Sequence, residues 1–296
     1  MTHMDIRDAA FERIVSAEPL RKRATGFIFT EGTVWHGDRN VVIFSDIPGN
    51  RMYTFDPATE TVSDYRNPSN KANGNVFDHQ HRLVTCEHVT SHVVREEPDG
   101  SRTVLASHYD GVELNSPNDI VVDRAGRLYF SDPPYGRLIA AVGLERPQLL
   151  PVQGVYRVDP ADGSVTQLAD DFDRPNGLCL AENETVLYVN DSARMHIRRY
   201  EIRNDRLVGG EVWAEVHGEG PGAPDGMKVD SEGNLFCCGP GGVHVFGAKG
   251  KLLGIIRVPE ETCNFNWGDA DRKTLYMSAT SSLYSCRTHV PGLANW

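Results

Sequence analysis

Six oxygen-bearing side chains recur along the chain, each at the start of a short apolar run. In the segment from Asn118 to Asp132, the first run is followed by a polar turn and by a second apolar run. Carboxylate and amide oxygens are the ligands that hard divalent cations prefer, so the set would suit Ca²⁺, Mg²⁺ or Mn²⁺ better than Zn²⁺. The six residues are Glu31, Asn73, Asn118, Asn176, Asp225 and Asn266.

The elements that must position these side chains form a repeat. Each polar residue opens a predicted β-hairpin, and the pattern recurs about every 40–50 residues. A further apolar run follows each hairpin, beginning near Arg51, His92, Gly154, His196, Gly242 and Ser282. One antiparallel four-stranded sheet per repeat, arranged radially, is a β-propeller. The predicted fold is therefore all-β, with six blades and one domain over residues 1–296.

The last repeat supplies only three strands before Trp296. The segment from Glu18 to Thr25 can provide the missing outer strand, which would close the ring and protect two sheet edges. Residues 1–16 are expected to form an N-terminal extension, with a weakly helical pattern from Ile6 to Val15. Blade six should begin near Asn264.

Convergence of the six polar residues follows from the fold. The innermost strand of each blade runs beside the central channel, so the residues that open these strands should meet at one mouth. Asn-Gly and Asp-Gly are also common turn dipeptides, which is the alternative explanation. Glu31 is a poor turn residue, and the six positions vary within one chemical class, which favours a cation site.

Composition excludes several classes of function. The chain has 296 residues and a net charge of −11, which argues against nucleic acid as a partner. It contains no long apolar segment of the kind that spans a membrane and no signal-peptide pattern, so a cytoplasmic protein is expected. Its 6 cysteines include no CxxC pair and are expected to be buried and reduced.

Several motifs resemble the SMP-30/gluconolactonase/LRE family over nearly the whole chain, from Gly26 to Tyr284. The segments that carry the resemblance are Glu31-Gly-Thr-Val-Trp, Asn115-Ser-Pro-Asn-Asp, Tyr129-Phe-Ser-Asp-Pro-Pro-Tyr-Gly, Arg174-Pro-Asn-Gly-Leu and Pro224-Asp-Gly-Met. The second and third are similar to the family's bacterial gluconolactonase branch. Mammalian members carry an arginine where this chain has Ser116, so recognition of the sugar acid by that arginine does not carry over.

The resemblance implies a divalent cation at the channel mouth and hydrolysis of sugar lactones. Carried over by position, the metal ligands would be Glu31, Asn118, Asn176 and Asp225, with Asp225 as the catalytic carboxylate. Ca²⁺ is the first expectation for the ion, with Mg²⁺, Mn²⁺ or Zn²⁺ as alternatives.

Other residues are candidates for substrate binding. Asn73, Asn118 and Asn266 would offer ring amides to substrate hydroxyls. His88 follows a predicted strand and could shuttle protons, or be an ordinary hydrogen-bonded histidine. Asp132 and Tyr135 could line the pocket, or belong to a turn set by the prolines between them. The insertion from Pro133 to Val152 that follows is long enough to be a functional loop.

The leading interpretation is a metal-dependent lactonase acting on a small-molecule lactone. A phosphotriesterase using the same metal site is the nearest alternative enzyme, and a non-catalytic binding propeller is the alternative of another class. A monomer or a small homo-oligomer is expected.

Overall fold

A computed structural model describes residues 3–293, which form six small antiparallel sheets. The N-terminal segment contains strand β1 (Met4–Ile6), helix α1 (Phe11–Ile14) and strand β2 (Arg21–Thr25). The helix is shorter than the pattern from Ile6 to Val15 predicts, because the residues before it form β1 and a turn.

Blades one to three follow in chain order, and each is a sheet of four strands. Blade one contains β3 (Thr30–His36), β4 (Val41–Asp46), β5 (Arg51–Asp56) and β6 (Thr61–Arg66). Blade two contains β7 (Ala72–Phe77), β8 (Leu83–Glu87), β9 (His92–Glu96) and β10 (Arg102–Ala106). A small hairpin of β11 (His108–Tyr109) and β12 (Val112–Glu113) leads to blade three. Blade three contains β13 (Ile120–Val122), β14 (Leu128–Asp132), β15 (Gln153–Val158) and β16 (Val165–Phe172), with helix α2 (Tyr135–Leu138) between its second and third strands.

Blades four to six complete the set. Blade four contains β17 (Pro175–Leu180), β18 (Val186–Asp191), β19 (His196–Arg203) and β20 (Arg206–Glu215). Blade five contains β21 (Met227–Val229), β22 (Leu235–Gly239), β23 (Gly242–Phe246) and β24 (Leu252–Arg257), with a 3₁₀ turn at Ala248–Gly250. Blade six contains β25 (Thr262–Gly268), β26 (Thr274–Ala279) and β27 (Ser282–Arg287).

The N-terminal segment joins the ends of the ring. Strand β2 pairs antiparallel with β27 and supplies the outer strand of blade six, which confirms the predicted closure. Strand β1 pairs with β24 and adds a fifth strand to blade five. Each innermost strand contacts the innermost strand of the next blade, and β25 contacts β3, so the six blades close into the predicted propeller.

The hairpins between the inner strands use side-chain caps. Asp123 Oδ1 accepts hydrogen bonds from Ala125 N at 3.0 Å and Arg127 N at 2.9 Å. Gly126 has φ of 85°, which glycine adopts without strain. The corresponding hairpins of blades two and five place Asp78 and Asp230 in the same role.

The apolar core lies between the blades. One cluster of buried side chains occupies each of the six blade–blade contacts, as in the packing of Val34 and Ile43 of blade one against Phe77 and Leu83 of blade two. The strands that line the channel are almost wholly buried, whereas outer strands such as β6 are largely exposed. No helix among the described residues is both long and apolar enough to cross a bilayer.

Candidate metal centre at the channel mouth

Strand pairing defines one equivalent position in each blade at the channel mouth. In four blades, the first residue of the inner strand pairs with the last residue of the second strand, as Thr30 does with Asp46 and Thr262 with Ala279. The residue that follows lies in a β-bulge in three of these blades, and in blade one it is Glu31, which pairs with Ser45 directly before the bulge. These four mouth residues are Glu31, Asn73, Asn176 and Cys263.

Blades three and five place their mouth residues just before the inner strand. Asn118 N donates to Ser131 O at 2.8 Å, and Asp225 N donates to Cys238 O at 3.2 Å, so both are still held by the second strand. Together with the other four positions, they complete a ring of six mouth residues, which we call the mouth ring: Glu31, Asn73, Asn118, Asn176, Asp225 and Cys263.

The glycine after a mouth residue lets neighbouring blades approach closely. A Cβ on Gly32 would lie 1.8 Å from Asn73 O, the carbonyl of the next mouth residue. A Cβ on Gly226 would lie 2.7 Å from Asn264 Cγ. Asn-Gly and Asp-Gly therefore serve contact between inner strands, and the turn explanation raised by the sequence does not apply to them.

Amide side chains of the mouth ring are linked in a chain of hydrogen bonds. Asn73 Nδ2 donates to Asn118 Oδ1 at 2.6 Å, and Asn118 Nδ2 donates to Asn176 Oδ1 at 2.5 Å. Asn176 Nδ2 then donates to Ser192 Oγ at 3.1 Å. Each amide is thereby oriented, and each Oδ1 atom keeps a second lone pair for another partner.

The other side of the mouth ring carries two carboxylates. Glu31 Oε2 accepts from Gly32 N at 2.6 Å and from Asn264 Nδ2 at 3.0 Å. Burial raises the pKa of Glu31 to about 7. Burial and then the charge of Glu31 raise the pKa of Asp225 well above its ordinary value. The pair therefore needs a proton or a cation at neutral pH.

Cys263 lies beside this pair. A carboxylate oxygen of Glu31, a carboxylate oxygen of Asp225 and the Sγ atom of Cys263 all lie within 4.8 Å of one another. Burial raises the pKa of the Cys263 thiol, and the charges of the two carboxylates raise it further. The sequence repeat missed Cys263, and the only signal it offered was the position directly before Asn264, where blade six was expected to begin.

Asp119 is a third buried carboxylate, and sequence reasoning also missed it. Asp119 directly follows the mouth residue Asn118. At the equivalent position, four other blades carry glycine and blade six carries Asn264. Its Oδ1 accepts from Ile120 N at 2.9 Å, and its Oδ2 is buried without a hydrogen-bond partner. Burial raises the pKa of Asp119, and the charge of Lys228 lowers it. The charge of ionised Asp119 in turn raises the pKa of Glu31 and of Asp225, so the three carboxyl groups are electrostatically linked.

The structure places Asn266 away from the mouth, contrary to expectation. Its Nδ2 donates to Thr33 O at 3.4 Å, and the residue lines a cavity of about 270 Å³ farther along the channel with Asn75 and Lys228. The cause is the bulge at Cys263, because strand register places the mouth position three residues before Asn266.

Asp132 is also removed from the open mouth. None of its surface is exposed, and its Oδ2 accepts from Asn115 N at 2.8 Å. Asp46 and Asp191, at the ends of the equivalent strands, accept from backbone N–H groups in the same way. The geometry thus assigns Asp132 to the turn, which was the alternative to pocket lining.

His88 is buried and held at both ring nitrogens. Nδ1 lies 2.9 Å from Val142 O, so it must carry the proton, and Nε2 then accepts from Asn73 Nδ2 at 3.3 Å. Burial lowers the pKa of His88 to about 4, so the ring is neutral at pH 7. These contacts and the low pKa favour a structural, hydrogen-bonded role for His88 over a role in proton transfer.

The insertion from Pro133 to Val152 covers the mouth side of the propeller. Its Val142 contacts His88, and its Tyr135 lies beside Ser192. The Arg174 guanidinium lies 5.6 Å from the centroid of the Tyr135 ring. The insertion thus reaches from blade two to blade four, a placement that the sequence left open.

A buried arginine anchors the insertion. Arg137 Nε donates to Asn115 O at 2.7 Å, Nη1 to Pro147 O at 2.7 Å, and Nη2 to Leu114 O at 2.6 Å. Nη2 also lies 2.6 Å from Glu113 Oε2. These contacts fix both ends of the insertion against the segment that leads to Asn118.

Comparison with known proteins identifies relatives along most of the chain. The SMP-30/Gluconolactonase/LRE-like region matches residues 29–281. A gluconolactonase of Zymomonas mobilis is 31% identical over 93% of this chain and 82% of its own. The structure of a gluconolactonase from Xanthomonas campestris superposes with a TM-score of 0.90 at 32% identity, covering 96% of this chain and 94% of that one.

A more distant structure shares the fold. Regucalcin from Agrobacterium tumefaciens, described as a calcium-binding protein, has a TM-score of 0.77 at 17% identity and covers 94% of this chain and 96% of its own. The match along most of the sequence, the propeller and the motifs around the mouth ring lead to one conclusion: the chain belongs to the SMP-30/gluconolactonase/LRE family.

Proposed function

We propose that this protein hydrolyses a small hydroxylated lactone at the mouth ring with the help of a divalent cation. The observation that carries the proposal is the buried pair of Glu31 and Asp225, which lies beside oriented amides and needs a positive charge at neutral pH. Gluconolactonase relatives from two bacteria support lactone hydrolysis as the reaction.

Glu31, Asn118, Asn176 and Asp225 would hold the cation. Two carboxylates balance the charge of a dication, and two amide oxygens match the hard ligands of Ca²⁺, with Mg²⁺, Mn²⁺ and Zn²⁺ as alternatives. When bound, the cation would polarise a carbonyl oxygen and lower the pKa of a water molecule.

Asp225 is the residue proposed to act on water. Its carboxylate accepts a proton while the water oxygen attacks the lactone carbonyl carbon. The bond between that carbon and the ring oxygen then breaks, and the proton passes to the released oxygen to give a hydroxy acid. Asn190 supports Asp225, since its Nδ2 donates to Asp225 O at 2.5 Å. A carboxylate shared with a cation is a weak base, so orientation of the water is the larger part of this role.

Asn73 and Tyr135 are the proposed contacts for substrate hydroxyls. Asn73 lies between His88 and Asn118, and Tyr135 lies beside Ser192 with Asp225 near enough to raise the pKa of its hydroxyl. Burial is the larger cause and raises that pKa to about 12, so Tyr135 is a hydrogen-bond donor at neutral pH. Polar donors and acceptors around an apolar ring face suit a polyhydroxy lactone.

The test is hydrolysis of a panel of five- and six-membered aldonolactones, corrected for the spontaneous reaction. Activity should be lost on chelation and restored by adding back a divalent cation. A phosphotriester should be turned over poorly. If the phosphotriester were turned over and no lactone were, the phosphotriesterase would be favoured. If a cation bound but neither substrate were turned over, a binding propeller would be favoured.

A further inference from the structure

The sixth position of the mouth ring is a thiol. Thr262 pairs with Ala279 as Ala72 pairs with Glu87, and a bulge follows at the next residue in both blades. The preceding blade contacts Cys263 in the same way as it contacts Asn118 in blade three. Gly226 N donates to Cys263 O at 2.8 Å, and Gly74 N donates to Asn118 O at 2.8 Å. Cys263 therefore occupies the place in blade six that Asn118 occupies in blade three.

The sulfur is close enough to the acid pair to share an ion. Ligand atoms of Cys263, Glu31 and Asp225 lie within 4.8 Å of one another. Ligand bonds to such a cation are about 2.0–2.3 Å long, so a small side-chain movement would bring all three atoms onto one ion. Cys263 is fully buried and forms no disulfide. The thiol donates a long hydrogen bond to Glu261 O at 3.7 Å, which restrains it only weakly.

We propose that Cys263 is a sulfur ligand of the mouth-ring metal centre, recruited by borderline and soft dications such as Zn²⁺, Co²⁺ and Cd²⁺ but not by Ca²⁺ or Mg²⁺. The inference rests on the proposed cation site. Thiolate sulfur binds soft and borderline ions, whereas hard ions keep oxygen ligands. When a softer ion binds, a lone pair of Sγ enters its coordination shell, and the thiol proton is released to solvent.

This ligand would give the site two modes of metal binding. Hard ions would use the carboxylate and amide oxygens alone and leave the thiol protonated. Softer ions would also coordinate the sulfur of Cys263. Their affinity would therefore be higher than the oxygen ligands alone could provide. The chemistry of the ring at blade six thus determines which cations compete for the site, and an all-oxygen ring would lack this discrimination.

Absorption spectroscopy tests the proposal on the full chain. Co²⁺ and Cd²⁺ added to metal-free protein should produce sulfur-to-metal charge-transfer bands in the ultraviolet. The bands should vanish in Cys263→Ser and in Cys263→Asn, which restores the amide found at three other ring positions. Cys286→Ala is the matched control, because Cys286 is buried in the same blade but lies in the apolar core. It should keep the bands.

Titration calorimetry separates this inference from the cation site itself. Cys263→Asn should weaken Cd²⁺ by at least about tenfold and leave Ca²⁺ within about twofold. Bands that persist in both Cys263 variants, or equal losses for Cd²⁺ and Ca²⁺, would overturn the sulfur ligand and leave the oxygen site intact. Wild-type protein that binds none of these ions would overturn both. Unchanged melting curves would show that the variants are folded.

Discussion

At the scale of single residues, the mouth ring concentrates negative charge in a buried place. Burial and the charge of Asp119 raise the pKa of Glu31, and burial and the charges of Glu31 and Asp119 raise the pKa of Asp225. Lys228 is the cation whose charge opposes this at Asp119. A divalent ion bound between Glu31 and Asp225 would reverse the balance, so metal affinity should depend steeply on the charge of these two side chains.

Glu31→Gln tests that dependence. The amide keeps an oxygen and the size of the side chain but removes one charge, so Ca²⁺ affinity should fall by roughly tenfold or more. Calorimetry of the metal-free variant measures it. Glu87→Gln is the control, because Glu87 is a buried carboxylate at the end of a blade-two strand and contacts Arg102. An unchanged affinity in both Glu31→Gln and Asp225→Asn would show that the cation lies elsewhere.

Asp225→Asn tests the role of this carboxylate in turnover. The amide can still bind the ion but can neither accept a proton nor orient the water as a carboxylate does, so kcat should fall by about 10²–10⁴-fold at saturating cation. His88→Ala should cost less, because both nitrogens of His88 already have partners. Steady-state kinetics on the best lactone measures both. If Asp225→Asn kept near-full turnover while His88→Ala lost it, the roles would be reversed.

At the scale of elements, β-bulges and one insertion determine what the mouth presents. In four blades, the mouth residue lies in a bulge or directly before one, as Glu31, Asn73, Asn176 and Cys263 do. The insertion then covers part of this surface through Tyr135 and Val142. Because bulges and inserted loops do not follow strand alternation, they account for most of what the repeat pattern misplaces.

Arg137→Met should loosen the insertion. The substitution removes the side-chain donor of Leu114 O and Pro147 O and leaves Asn115 O with Ser91 Oγ alone, which should cost about 2–4 kcal/mol of unfolding free energy. Urea unfolding measures the loss. Chymotrypsin should also cut sooner near Leu144, which is 55% exposed.

Arg124→Met is the control for that experiment. Arg124 is exposed and donates to Glu182 O on a hairpin, so its loss should change neither unfolding nor cleavage of the insertion. Wild-type stability and protease resistance in Arg137→Met would mean that other contacts hold the insertion in place.

At the scale of the molecule, the propeller is closed by pairing of its two ends. Strand β2 completes blade six, and Glu260 reinforces the seam. Tyr284 and Ser282 donate to its Oε1 at 2.7 Å, and Lys22 of β2 lies 3.2 Å away. The ring thus depends on a contact between residues far apart in the sequence.

Glu260→Gln should destabilise the seam in a pH-dependent way. Burial acts to raise the pKa of Glu260, but hydrogen bonds from Ser282, Tyr284 and Ser281 outweigh it and lower the pKa to about 2. A carboxyl with a lowered folded pKa stabilises the protein above its ordinary pKa of 4.5 and loses this contribution as pH falls toward about 2.

The variant should therefore lose about 1–2 kcal/mol at pH 7, and the difference from wild type should shrink as pH approaches about 2. Urea unfolding across this range measures it. Glu182→Gln removes an exposed carboxylate far from the seam and should leave the profile unchanged. A constant difference at all pH values would mean that Glu260 acts through packing and not through charge.

Most of the architecture could be predicted from the sequence because short local patterns determine it and recur in six repeats. Alternating apolar residues, polar turns and Gly126 indicate hairpins, and the repeat length indicates blades. The missing strand in the last repeat indicated the closure by residues near Glu18–Thr25. Glu31 and Asp225 stand out for the same reason, since each opens its repeat with a carboxylate.

What the tertiary structure alone decided depends on pairing between distant residues. The bulge after Thr262 moves the mouth position to Cys263, so a sequence alignment of the repeat selects Asn266 instead. Burial of Asp119 and the side of the ring covered by the insertion likewise arise from contacts across blades. A local pattern specifies which residues form a strand, but register and inter-blade packing decide which side chains meet in space.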